Sequence, residues 1–329
     1  MRQHVLRGLL LTCALFTASV EAHSWDTRVM ALLRDPEVDL LDAKLAIDAQ
    51  LDGATDAADV RRQVDAWVDA ARARTPAPAS LRTRVEHLLS TLYVAGPWNG
   101  HRPVAYDLED PFARQPRSRL LATYLDTRRG NCVTMPLLVA IVGQRLGLPL
   151  ALARAPQHLF VTFRDDDSRW MHVEATSGGF KDTDGYIRDT GISQLAIARG
   201  VYLHPLTPRQ AVATLAVDLV TDLSRRGNDT AALALAERLV DADPLNVFLM
   251  VRIGSLHARV AARRFHARWP DPADVPVALH AEYRALHAAN AAWFAKAEAL
   301  GWSPSAPGSD AAYLESIEAE RRRRQSGAP

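Results

Sequence analysis

Apolar positions recur at spacings of three and four through most of this chain, and that spacing predicts helices. Residues 26–34 and 36–51 read as the first two, with Leu40, Leu41, Leu45, Ile47 and Leu51 on one stripe. Asp56 to Arg74 is a third, carrying Val60, Val64, Trp67 and Val68. After the connector Thr75 to Ser80, Ser80 is placed to cap a helix from Leu81 to Val94 with Val85, Leu88, Leu89 and Leu92 inward. Gly96-Pro97-Trp98-Asn99-Gly100 breaks that helix, and residues 101–116, with Pro103, Pro111 and Pro116, show little periodicity. A short helix from Leu120 to Asp126 leads into the turn Arg128-Arg129-Gly130-Asn131.

Cys132 follows the turn, and an almost unbroken apolar run extends from Leu137 to Leu150. Pro136 is tolerated only in a first helical turn, where its missing N–H costs nothing, so the helix starts between Asn131 and Thr134. Gly147 and Pro149 end it. The period then changes. His158 to Phe163 is rich in aromatic and β-branched residues and reads as a strand. Asp165 to Ser168 is a turn, and Arg169 to Glu174 is the return strand of an antiparallel hairpin, with His158 expected opposite Glu174. Beyond Leu206 the chain is helical again: Thr207 to Leu223, Ala231 to Asp241, Asp243 to Ala262, then a proline linker (Pro270, Pro272, Pro276) and a helix from Val277 to Leu300. A last helix ends in Arg321–Arg324, read as a solvated tail.

Composition narrows the picture. Residues 1–22 have the form of a signal peptide: Arg2 and Arg7, an apolar run of 11 residues from Gly8 to Ala18 that is too short to span a bilayer, and small residues at Val20-Glu21-Ala22. No other stretch has transmembrane length. The expectation is an exported protein, periplasmic or secreted, without a membrane span after cleavage. Cleavage removes two of the 39 basic and one of the 38 acidic residues, leaving 37 of each, so nothing points to nucleic acid. It also removes Cys13. Cys132 is then the one thiol of a chain in an oxidising compartment, either buried and inert or useful.

The use follows from its place. A helix N-terminus carries partial positive charge and free N–H groups, which favour thiolate over thiol, and the thiolate is the nucleophile. His158 titrates near neutrality and can take the thiol proton. Glu174, although 16 residues further on, can hold the other ring nitrogen across the hairpin. Backbone N–H groups at Cys132 and its neighbours are candidate oxyanion donors. His172 shares a face with Glu174, but no ordered set of metal ligands is legible, and Asp182-Thr183-Asp184-Gly185 lacks the glutamate of a calcium loop. No cofactor and no metal is expected. Trp98 and Trp170 are expected in the core, and Arg128 and Arg129 as exposed charges.

Gly130-Asn131-Cys132, the strand opening on His158, and Trp170-Met-His-Val-Glu174-Ala-Thr together resemble the transglutaminase-like superfamily. Tyr106 to Phe112, Leu125 to Pro136, Ala155 to Phe160 and Glu174 to Gly179 resemble its SirB-type domains in particular. The resemblance implies a papain-like triad of Cys132 as nucleophile, His158 as base and Glu174 as orienting acid. Val133 and Glu174 depart from the Trp and Asp common in transglutaminases. Gly227, Ala232, Ala236 and Pro244 resemble the small-residue spacing of one tetratricopeptide unit, equally a plain helical hairpin.

The fold expected is α+β: a papain/transglutaminase-like core, its cysteine helix packed on a small antiparallel sheet, flanked by N-terminal helices and an α-helical C-terminal domain. The division runs 1–22 signal peptide, 23–79 N-terminal helices, 80–204 core, 205–265 tetratricopeptide-like helices and 273–329 C-terminal helices with a basic tail. The function expected is cysteine-dependent acyl transfer, with hydrolysis of a peptide or isopeptide substrate first. The alternative is a non-catalytic envelope scaffold that binds a protein partner through its helical C-terminal half.

Overall fold

The apolar run after Cys132 forms the helix around which the other elements pack. In the computed structural model, which describes residues 25–305 and 308–326, that helix spans Thr134–Arg145 (α6), and Thr134 through Gly143 are buried on every side. All-round burial explains why the run is continuous rather than striped. The signal-peptide reading of residues 1–22, with Cys13, lies outside the described residues.

Four helices precede the central turn: α1 (Trp25–Leu32), α2 (Leu40–Leu51), α3 (Ala57–Arg74) and α4 (Leu81–Tyr93). Asp39, Asp56 and Ser80 cap α2, α3 and α4 by accepting from backbone N–H groups of the first turn. Residues Ala105–Tyr106 (β1) pair in parallel with Arg129–Gly130 (β2), on either side of α5 (Leu121–Thr127). This two-stranded piece was not expected from sequence, because two-residue strands carry no period. Four antiparallel strands follow: β3 (Ala151–Ala155), β4 (His158–Arg164), β5 (Trp170–Glu174) and β6 (Gly179–Phe180), in that order across the sheet. The architecture is α+β, with α6 against β3 and β4 on one side and α2, α3 and α4 around it.

Two short helices follow, α7 (Thr183–Thr190), whose Tyr186 lies against the sheet, and α8 (Gln194–Ala198), and residues 201–206 then run along β3. Leu203 and Leu206 donate to the Arg154 and Leu152 carbonyls at 2.9 and 2.8 Å, which covers the edge strand. The expected helix from Thr207 to Leu223 is two, α9 (Pro208–Leu215) and α10 (Val217–Arg225), separated at Ala216. Then come α11 (Asp229–Ala242), α12 (Val247–Ala261, capped by Asn246 rather than starting at Asp243), α13 (His280–Ala299) and α14 (Ser309–Gln325). One hydrophobic core runs from Val29 through the sheet to Ile317. No helix among the described residues is long and apolar enough to cross a membrane.

Two buried ion pairs tie the outer helices to this centre. Lys44 and Asp48 are both fully buried on α2 at 2.8 Å. Lys44 also donates to the Arg119 carbonyl at 2.7 Å, and Asp48 accepts from the Leu121 N–H at 2.9 Å. Arg154 on β3 pairs with Asp243 at the end of α11. Two sequence expectations need correction. Trp170 is 43 % exposed, lying under the Arg164 guanidinium at 4.6 Å instead of in the core, because it opens β5 opposite Arg164, at the end of the pair where the strands leave the core. The arginine run completes α14 instead of trailing from it, and although Arg322, Arg323 and Arg324 are exposed as expected, Arg321 donates to the Leu108 carbonyl and pairs with Glu109 at 3.4 Å.

Candidate active site

The Cys132 loop is held from both ends. Gly130 pairs with Tyr106, and its carbonyl accepts from the Asp107 N–H at 2.7 Å. A Cβ on Gly130 would sit 2.6 Å from both Met135 and Tyr124, so only glycine fits this approach. Downstream, Asn131 Oδ1 accepts from the N–H groups of Val133 (3.0 Å) and Thr134 (3.1 Å), while Thr134 Oγ1 accepts from the Asn131 N–H (3.1 Å). The Asn131 side chain therefore satisfies the first N–H groups of this turn, at one end of the range that Pro136 allows, and its amide Nδ2 donates to the Ser118 carbonyl at 2.6 Å. The result places Cys132, a half-buried residue, two positions before α6. Arg128, at φ 59°, lays its guanidinium 4.4 Å over the Trp67 ring, half-buried rather than free, whereas Arg129 is exposed.

His158 opens β4 directly after the turn Pro156-Gln157, and Ala155 is its partner in register. The Gln157 carbonyl lies 3.9 Å from Cys132 Sγ. His158 Nε2 is 2.8 Å from Glu174 Oε2. The two residues do not face each other as expected. Val161 pairs with Val173 and Thr162 with His172, so Glu174 stands level with Phe160, two residues along from His158. The turn is centred one residue later than expected, with the Asp165 N–H closing on the Arg169 carbonyl at 2.9 Å. A displacement of two keeps the face, because side chains alternate with period two, and the contact forms diagonally.

The Glu174 carboxylate is saturated. Oε2 also accepts from the Tyr186 hydroxyl at 3.0 Å, and Oε1 accepts from the Thr176 N–H (3.1 Å) and hydroxyl (2.6 Å). Burial pushes this carboxyl up, but His158 and the two Thr176 donors outweigh it and hold it down at about 2. Burial likewise works against charge on His158, yet its interactions with Cys132 and Glu174 raise the ring to about 9. The ring is thus an imidazolium at neutral pH, its Nε2 engaged by Glu174 and its charge favoured by Cys132 as well.

Cys132, His158 and Glu174 are brought together from three segments, and His172 is not among them. The His172 nitrogens lie 2.9 Å from Thr162 Oγ1 and 3.0 Å from Thr183 Oγ1, and burial lowers its pKa. No group of three or more His, Cys, Asp or Glu side chains that could hold a metal occurs among the described residues. Asp182 caps α7 through the Gly185 N–H. Sequence reasoning missed Tyr186 and Thr176. Tyr186 is fully buried and stacks on Phe160 at 4.3 Å between centroids. Nothing in its sequence surroundings separates it from a core tyrosine. Thr176 was within reach of inference, since a threonine two residues after an acid can fold back onto it.

Residues 58–215 match the family model of the transglutaminase-like superfamily, covering the cysteine helix, the sheet and the acid. No curated protein matches the chain, and no solved structure does.

Proposed function

We propose that this transglutaminase-like domain is a cysteine-dependent acyl-transfer enzyme that hydrolyses peptide or isopeptide amide bonds through a thioester on Cys132. The observation that carries the reading is the 2.8 Å contact of His158 with Glu174 on a ring whose charge Cys132 also favours, and the reading assigns its other nitrogen to the thiol. The raised pKa of His158 assigns it a starting role as cation and proton donor, rather than as free base. Cys132 Sγ, as thiolate, attacks the substrate carbonyl carbon, and the π pair moves onto oxygen. The Cys132 N–H is the donor assigned to that oxyanion, because the Val133 and Thr134 N–H groups are committed to Asn131. Collapse of the tetrahedral adduct breaks the C–N bond, and the His158 Nδ1 proton goes to the departing amine. Neutral His158 then takes a proton from water, whose oxygen attacks the thioester. The acid leaves, and the thiolate–imidazolium pair returns. Glu174 keeps Nε2–H in place throughout.

Within the superfamily we assign the chain to the SirB-type domains, with tetratricopeptide-like helices at α10 to α12. We place its work outside the cytoplasm, on the strength of the leader-like residues 1–22. The test is intact-mass detection of an acyl adduct on Cys132 during turnover of a fluorogenic isopeptide. The adduct is expected to be labile to hydroxylamine, absent in C132A and slowed in H158A. Absence of any such adduct, with hydrolysis equal in C132A, would end the enzyme reading and leave the scaffold.

A further inference from the structure

Cys132 lies between two walls. One is β1 and the segment after it, where Tyr106 is level with Gly130. The other is the β3–β4 turn, where the Gln157 carbonyl approaches the sulfur. The C-terminal segment touches both. Ser305 Oγ is 2.5 Å from Gln157 Nε2, immediately before His158. The Tyr313 hydroxyl on α14 is 2.5 Å from the Tyr106 hydroxyl, and the Tyr313 ring lies against Phe112 at 5.2 Å between centroids. One and two turns further on, Ile317 is buried and Arg321 reaches the Leu108 carbonyl and Glu109. Tyr313, Ile317 and Arg321 follow one another at spacings of four, so a single helix face makes the contact.

The geometry points to an inhibitory strap: residues 302–305 and α14 cross the mouth of the Cys132 site, with Tyr313 standing on the substrate side of the thiol, and must lift away before a polypeptide can enter. This inference rests on the reading of Cys132 as nucleophile, and deepens it by naming what controls access. Burial raises the Tyr313 hydroxyl, its hydrogen bond with Tyr106 works the other way, and Cys132 and Glu174 add to the rise, so the tyrosine stands within electrostatic reach of the site.

The seat of the strap is built for release. Of the 17 residues of α14 only Ile317 is buried, and Leu314 is 44 % exposed. A cleft of about 500 Å³ lies between α14 and the segment at Glu109 to Arg114, lined by Phe112, Leu314 and Ile317 among others. The elements beneath are fixed independently: β1 by β2, and the β3–β4 turn by the sheet. Elements with few buried apolar contacts open at low free energy, and α14 has the features of one.

The test reads access, not turnover. Full-length protein is treated with biotin–maleimide, too bulky to pass a docked helix, and labelling of the Cys132 peptide is followed by mass spectrometry. Ile317→Asp and, separately, Tyr313→Ala are expected to raise the labelling rate roughly tenfold or more, with the melting temperature of the remainder preserved. Should I317D lower the melting temperature, Y313A, a change on a partly exposed helix face, carries the test alone. Faster labelling without isopeptide hydrolysis would keep the strap and remove the enzyme reading. Labelling in folded Y313A at the wild-type rate would overturn the strap, and hydrolysis measured on the same samples would still decide the chemistry.

Discussion

Replacing Glu174 by Gln separates the charge of this site from its shape. The carboxylate accepts four hydrogen bonds, two on each oxygen. A carboxamide offers one oxygen and one NH2 group, so whichever way it turns, either the Thr176 N–H or the His158 ring N–H faces a donor. An unsatisfied buried group costs about 1–3 kcal/mol. The larger consequence is in the pH dependence. His158 is displaced from 6.5 to about 9 in the folded protein. A raised folded pKa contributes stability that is complete below 6.5 and is lost as pH rises through about 9, here roughly 3 kcal/mol in all. Glu174, depressed from 4.5 to about 2, contributes stability that is present above 4.5 and is lost as pH falls through about 2. Both displacements report one interaction from its two ends, so they are not added. The pair therefore holds its full value between 4.5 and 6.5.

In E174Q the His158 ring keeps the burial that disfavours its charge and loses one of the two partners that overcome it. The decline in stability above 6.5 should shrink to less than half. Urea unfolding at about pH 6 and about pH 9.5 measures this decline in both proteins, and the carbon-bound ring protons of His158 follow its titration directly. Wild-type protein is expected to lose roughly 2–3 kcal/mol across that interval. An equal loss in E174Q, or a His158 titration still near 9 without the carboxylate, would refute the assignment of Glu174 as the group that holds the imidazolium.

Tyr186→Phe keeps the ring stacked on Phe160 and removes one donor from the Glu174 carboxylate; it should cost about 1–2 kcal/mol by denaturant unfolding and let Glu174 titrate higher. Gly130→Ala drives a methyl group into Met135 and Tyr124, and should cost about 1–3 kcal/mol in thermal unfolding while disordering the Cys132 loop. Asn131→Ala frees two N–H groups at the start of α6, and should cost about 0.5–2 kcal/mol and slow alkylation of Cys132 by iodoacetamide. Lys44→Met leaves Asp48 without its cation inside the core, and should cost about 3–5 kcal/mol near neutral pH by urea unfolding, less in acid where Asp48, its pKa raised by burial, is protonated.

What the sequence revealed of the site was what local rules govern. Pro136 located the start of α6, and with it the place of the thiol. The alternation in 158–163 and 169–174 put His158 and Glu174 on one face. The exact pairing was not legible: a turn centred one residue later shifts opposite positions by two, and the hydrophobic pattern is unchanged by an even shift. The contact survived the error because faces have period two. Tyr186 and Tyr313 were invisible for another reason. Each comes from a helix whose own pattern says only that a tyrosine is partly inward, and their partners are set by how α7 and α14 cross the sheet and the segment after β1. The inward lysine of α2 was hidden likewise, since an apolar stripe does not announce the one charge set within it.

The cost of this arrangement bears on why a chain would keep it. The His158 and Glu174 side chains are 20 % and 13 % exposed, so both charges have given up most of their water. Apolar residues of similar volume at such a pair are often neutral or stabilising, and a domain that needed only to fold would lose nothing by the exchange. The surrounding residues do the opposite of relaxing that cost. The Tyr186 hydroxyl is turned to the carboxylate, Thr176 folds back to it, and Asn131 uses both ends of its amide to fix the loop that carries the sulfur. Groups whose pKa values are driven apart, to about 9 and about 2, cluster where proton transfer is required more often than where packing alone is. Cys132, by contrast, is only partly buried at the edge of this cluster. A buried inert thiol needs no imidazolium beside it, and a scaffold needs no saturated carboxylate behind that imidazolium. The arrangement is intelligible when the thiol has to react.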